Sequence, residues 1–269
     1  MSYTTITYDL DKTTAVITFD RPEKMNTWNA TVATELSQAL RQANDDDVVR
    51  AVVITGAGRA FCAGADLDGG EDTFAGREQA TSEDQDGVGT LHPYEINKPV
   101  IAAINGAAVG VGMTYPMLCD IRYAAADAKM GFVFTRRGMM PELAAHLLVQ
   151  RAAGFSNAAD VLLSGRIFLG KEAAQMGIVS EALPADKVLD RALQHAAEYR
   201  YTAPVSVAIT KKLLWQGLHS SMSEMLALEG PLFNWVGNQI DAKEGIMSFV
   251  EKRDPEWTLS ASKDLPTLL

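Results

Sequence analysis

Two apolar runs that break abruptly into glycine constrain this chain more than anything else in it. The first is Ala51-Val52-Val53-Ile54-Thr55-Gly56, followed by Phe61-Cys62-Ala63-Gly64-Ala65-Asp66-Leu67. The second is Val100-Ile101-Ala102-Ala103-Ile104-Asn105-Gly106, followed by Gly110-Val111-Gly112. An apolar, β-branched run without alternation predicts a strand buried on both faces. The glycines that follow leave backbone N–H groups without side-chain cover. Two such turns side by side can aim two N–H donors at one oxygen, which stabilises a carbonyl oxygen as it gains negative charge. For either segment alone, tight strand-to-helix packing is the better account.

At 269 residues, 47% of them hydrophobic, the chain can build one large domain, or one domain with a smaller appendage. A formal charge of −10 argues against nucleic acid or an anionic membrane as partner. A few local cations can still hold an anionic small ligand. Cys62 and Cys119 sit in apolar surroundings without metal-ligand spacing, so buried free thiols in a reducing compartment are expected, and no metal. No apolar run is long enough to span a bilayer, and Met1-Ser2-Tyr3-Thr4 does not open a signal peptide. A cytoplasmic protein is expected.

Alternation in Ile6 to Leu10 and Ala15 to Phe19 predicts paired strands across the Asp11-Lys12-Thr13 turn. Asn29 can cap a helix running to Gln42. Residues 68–91, rich in Gly, Asp, Glu, Thr and Ser, predict a mobile loop or a poorly packed helix. A short helix is expected from Gly112 to about Leu118, and short strands at Ile121 to Ala124 and Lys129 to Gly131. Pro141 suits a first helical position, with Leu143, Leu147 and Leu148 as the buried face. Helices are then expected over 156–163, 171–176, 186–201, 204–216, 222–239 and 241–252, with Gly177 as a C-terminal cap. The change of texture near residue 200 divides a core over 1–200 from a helical region over 201–269.

Five ordered blocks carry a resemblance. They are Arg21-Pro22-Glu23-Lys24-Met25-Asn26, Phe61 to Leu67, Lys98 to Gly106, Gly110-Val111-Gly112, and Cys119-Asp120. In these the chain resembles the crotonase superfamily, the enoyl-CoA hydratase/isomerase family, over nearly its whole length. The resemblance implies an α/β fold, a spiral of ββα units with a helical C-terminal oligomerisation region. It also implies a trimer or a dimer of trimers, and no cofactor beyond the coenzyme A moiety of an acyl-CoA substrate. By resemblance the two oxyanion N–H groups belong to Ala63 and Val111. Many relatives have glycine where Val111 stands, but only the amide is required. Its place before Gly112 adds a favourable helix dipole.

Family hydratases use two glutamates. In this sequence those positions are Thr114 and Phe134, neither of which can exchange a proton as a carboxylate does. One acid remains, Glu142, at a position resembling that of the single base in Δ3,Δ2-enoyl-CoA isomerases. Phe134, Met139 and Met140 are expected to give it apolar surroundings that raise its pKa. The competing account is an acid favouring a helix N-terminus. His146 follows by four residues and can share a helix face with Glu142. His92 can enter the pocket if the preceding loop folds over it.

By resemblance, Ala65, Asp66 and Leu67, with Met25, Val109 and Phe134, line the CoA and acyl channel. Arg21, Lys24 and Lys252 are the expected phosphate contacts. The leading expectation is isomerisation of an enoyl-CoA with Glu142 as the shuttle base. The alternatives are hydration or dehydration using Glu142 and water, and a catalytically inactive acyl-CoA-binding protein.

Overall fold

The computed structural model describes residues 2–70, 73–74 and 90–267. Most of the predicted loop at 68–91 lies outside the described residues. Strand β1 (Ile6–Asp11) pairs antiparallel with β2 (Thr14–Phe19), Ile6 opposite Phe19, across a turn in which Lys12 takes φ 56°. Helix α1 (Ala30–Asp45) starts as expected, with the Asn29 side chain accepting from the Val32 amide at 2.9 Å, and it runs three residues beyond Gln42.

The chain then repeats one move three times. Strand β3 (Ala51–Gly56) enters a six-stranded sheet, and β4 (Ala60–Cys62) a separate four-stranded one. Strands β5 (Val100–Ile104) and β6 (Ala107–Val109) do the same, followed by the one-turn helix α2 (Val111–Thr114) and a 3-10 turn over Tyr115–Leu118. Strands β7 (Ile121–Ala125) and β8 (Lys129–Gly131) complete the series. This is the ββα spiral; its repeats share geometry without sequence self-similarity. The order β1-β2-β3-β5-β7-β10 in the larger sheet is closed by β10 (Glu181–Leu183), parallel to β7. In the smaller, β9 (Phe168–Leu169) follows β8. Strands β3 and β5 are buried along their whole length, as non-alternating runs require.

Helix α3 (Ala145–Ser164) begins four residues later than Pro141 suggests and is broken by non-helical Gly154. The cause is local: Leu143 (φ 52°) and Ala144 (φ 53°) are both left-handed, which no helix can contain. Of the apolar face expected there, Leu148 is buried, while Leu147 is exposed. Helices α4 (Gly170–Met176), capped by Gly177, and α5 (Val188–Glu198) pack against the spiral. Helix α6 (Pro204–Gly217) is fastened to it by a buried cluster. Lys211 pairs with Asp120 at 2.8 Å and donates to the Pro93 and Lys98 carbonyls, while the Trp215 indole donates to the other Asp120 oxygen at 2.7 Å. Helices α7 (Met222–Gly237) and α8 (Ile240–Glu251) contribute little to the main core, and Leu232 joins Val205 and Ile209 in a small one. Among the described residues, no helix is long and apolar enough to cross a membrane.

Candidate active site

Strands β4 and β6 run parallel, Cys62 opposite Ala108, so their chains leave the sheet side by side. Both enter glycine turns: Gly64 has φ +114° and Gly110 φ +58°. A Cβ on Gly110 would lie 3.8 Å from the Gly64 Cα, which puts the two turns in contact. Gly112 is tighter still, since a Cβ there would sit 2.0 Å from the Cys62 carbonyl oxygen. Only glycine lets α2 pack on the end of β4.

The amides of these turns divide into committed and uncommitted groups. Residues 25–28 lie against 63–66 as a short extra ladder. Ala63 donates to the Met25 carbonyl at 3.1 Å, Trp28 to the Gly64 carbonyl at 2.8 Å, and Asp66 to the Trp28 carbonyl at 2.8 Å. The expectation for Ala63 is therefore corrected: its hydrogen is held inside the fold. Ala65, two residues on, has an amide that donates to no acceptor among the described residues. The Val111 amide, preceding the first hydrogen bond of α2, is likewise uncommitted.

A cavity of about 160 Å³ adjoins the second turn and is lined by both Val111 and Glu142. Trp28, Tyr115, Leu91 and Leu143 give it apolar walls, with the Trp28 and Tyr115 rings 4.8 Å apart. His92 lines it too, although most of the loop before it is not described. Glu142 is the one carboxylate among the described lining residues. It stands outside α3, its carbonyl accepting from the Ala145 amide at 3.0 Å, so the helix-start account of this acid does not hold. His146 consequently does not share a helix face with it. Two corrections concern the walls. Met139 and Met140 are exposed, and Phe134, on a 3-10 turn over Val133–Arg137, does not line this cavity.

Other expected contacts fall around the first turn. Arg21 donates to the Asp66 carboxylate at 3.0 Å and to the Thr27 carbonyl at 2.6 Å. That pair is largely covered, with side-chain exposures of 15% and 13%, and the Arg21 guanidinium holds the Asp66 carboxyl below its usual range. Arg21 thus braces the turn. Lys24 is exposed beside Asp68, whose carboxylate raises its pKa. Leu67 is exposed, while Ala65 and Val109 are half-buried beside the turns. Met25 takes φ 52°. Lys252 ends α8 in a left-handed cap.

Asn26 is a structural residue that the sequence did not single out. Buried and left-handed (φ 56°), it accepts from the Arg21 amide at 2.8 Å and donates to the Ala57 and Ala60 carbonyls. Its place in the Arg21–Asn26 block was the available signal. Cys62 and Cys119 are excluded as nucleophiles, because burial pushes their thiols up to about 11 and about 12. No group of ligand-type side chains that could hold a metal is present among the described residues.

A spiral of ββα units whose glycine turns meet beside a carboxylate-bearing cavity defines the class. The family model described as enoyl-CoA hydratase/isomerase matches residues 9–260, and the chain belongs to that family. A protein of Rhodobacter capsulatus named "Probable enoyl-CoA hydratase" is 36% identical over 96% of this chain and 99% of its own. "Enoyl-CoA hydratase ACTT3" of Alternaria alternata is 35% identical over 90% of this chain and 82% of its own. Among solved structures, a "probable enoyl-CoA hydratase/isomerase" from Mycobacterium abscessus superposes with a TM-score of 0.86 at 33% identity, covering 94% of this chain and 98% of the other. An enoyl-CoA hydratase from Bacillus anthracis gives 0.85 at 28% identity, covering 94% and 99%.

Proposed function

We propose that the chain isomerises an enoyl-CoA, moving a double bond from the 3 to the 2 position with Glu142 as the base. The observation that carries this reading is one cavity lined by Glu142 and Val111, with no second carboxylate among its described walls. The Glu142 carboxylate takes a proton from C2 of the thioester. The electron pair moves into a dienolate whose oxygen accepts hydrogen bonds from the Val111 and Ala65 amides. Protonated Glu142 then returns the proton to C4, and the double bond settles between C2 and C3. Donors aimed at the developing charge need no reorganisation during the reaction, and each typically contributes ~10²–10³ in rate. Exposed Lys24, in the turn at Pro22–Lys24, is the cation we assign to the CoA phosphates.

Hydration is the second reading, favoured by the names of the relatives and by Thr114. That hydroxyl is fully buried one residue before Tyr115 and has no hydrogen-bond partner among the described residues, which leaves a donor and an acceptor unused by the fold. Incubating a C2-deuterated 3-enoyl-CoA separates the two. A single shuttling carboxylate carries part of the deuterium to C4 of the 2-enoyl product. Formation of 3-hydroxyacyl-CoA from the matching 2-enoyl-CoA, with no turnover of the 3-enoyl ester, would assign the site to hydration.

We further propose that α7 and α8 are covered by other copies of the chain in a trimer or dimer of trimers. Phe233 and Phe249 are 80% and 84% exposed in the single chain, among other large apolar residues on the same helices.

A further inference from the structure

The lining residues Val49, Arg50, Lys98 and Pro99 immediately precede β3 and β5, whereas the glycine turns follow β4 and β6. Here a second cavity of about 150 Å³ lies between the sheet and the C-terminal tail, and it shares no residue with the Glu142 cavity. The tail closes it by specific bonds. Asp241 accepts from the Thr258 and Leu259 amides, Asn97 donates to the Ala261 carbonyl at 3.1 Å, and Ser262 and Lys263 both bind Asp47.

Two cations face this space without an ion pair to any carboxylate among the described residues. Lys98, buried, donates to the Ala43 and Asp46 carbonyls at the end of α1, which leaves part of its ammonium unused. Arg50 donates to the Thr202 carbonyl, and most of its guanidinium donors remain over. Burial lowers the pKa of both, to about 8 for Lys98, where the Arg50 charge adds to the depression. A third donor stands in the same wall: the Trp257 indole N–H is buried and has no acceptor among the described residues. Asp47, the one acid in the lining, is already matched by Lys263 at 3.0 Å. Buried donors left without acceptors are costly, and two buried cations without a direct ion pair add to that cost, with Asp241 acting on Arg50 and Asp45, Asp46 and Asp47 on Lys98 only through space. The space is well beyond the roughly 15 Å³ that one water needs.

We propose that this cavity is a binding site for a small tetrahedral oxyanion of the phosphate class, held by Arg50, Lys98 and Trp257. The ligand is the free inorganic ion, since the tail encloses the site and the thioester cavity is a separate one. It fastens residues 257–261 to the start of β3 and β5, and so stabilises the fold without entering the reaction.

Thermal melts of the full chain in chloride buffer, titrated with inorganic phosphate at fixed ionic strength, test this. The expected result is a saturable Tm rise of roughly 3 °C at ten times the dissociation constant. Arg50→Gln should weaken phosphate binding by ~10–100-fold. Trp257→Phe keeps an aromatic side chain but removes the indole N–H, and should weaken it several-fold. CoA affinity should be unchanged at saturating phosphate, whatever reaction the Glu142 cavity performs. No rise beyond the chloride control, the same phosphate response in both variants, or competition between phosphate and CoA would each overturn the proposal.

Discussion

Around the first glycine turn, single residues hold the candidate donors in place. Asn26 satisfies three backbone groups from one buried amide, and no other side chain of that size both accepts and donates there. Asn26→Ala should cost about 2–4 kcal/mol by leaving those groups unpaired, measured by chemical melts. Arg21 and Asp66 make a pH-dependent brace. The Asp66 pKa is lowered by the Arg21 hydrogen bond, so its stabilisation is present above the ordinary carboxylate range and is lost as pH falls through the lowered value. The stability gap between the native chain and Arg21→Gln should therefore be full near neutrality and close in acid. A gap that stays constant down to pH 2 would remove the brace. In the sequence, both residues stood inside resembling blocks, but their pairing across 45 positions had no local signature. The same holds for Ala63 against Ala65. Which amide is uncommitted depends on the ladder with residues 25–28, and only tertiary pairing creates that ladder.

The elements were legible where burial follows periodicity. β3 and β5 were evident as non-alternating apolar runs, and α1 by its Asn29 cap. The short strands β4, β6, β9 and β10, of two or three residues, fall below any periodic signal and are made by the sheet they join. The start of α3 was missed for a different reason. Pro141 is a good opening residue, yet two left-handed residues after Glu142 delay the helix and present the carboxylate from a turn. Such strain persists when surrounding packing over-determines it, and often at functional sites. Ala144→Gly should relieve about 1 kcal/mol of it, raising Tm while lowering turnover as Glu142 loses its fixed position. Raised Tm with unaltered turnover would separate the turn from catalysis.

In the whole molecule, the spiral and the helical end are less separable than the change of texture near residue 200 suggests. Lys211 and Trp215 on α6 both hold Asp120 in the core. Removing one partner of a buried pair typically costs ~3–5 kcal/mol, so Lys211→Met should destabilise the entire fold by that order in denaturant melts. Helices α7 and α8 behave differently, having little core of their own and large apolar residues outside. Phe249→Glu should shift sedimentation toward smaller species while leaving the melt of the spiral largely intact. An unshifted native assembly would put the subunit contact elsewhere. Proton transfer by Glu142, beside uncommitted amides, is the claim on which the functional account rests. The most direct measurement is turnover of a 3-enoyl-CoA by Glu142→Gln, with CoA-ester affinity determined on the same sample. The account predicts a fall of ~10²–10⁴-fold in rate with affinity nearly unchanged, whereas native turnover in the glutamine variant would contradict it.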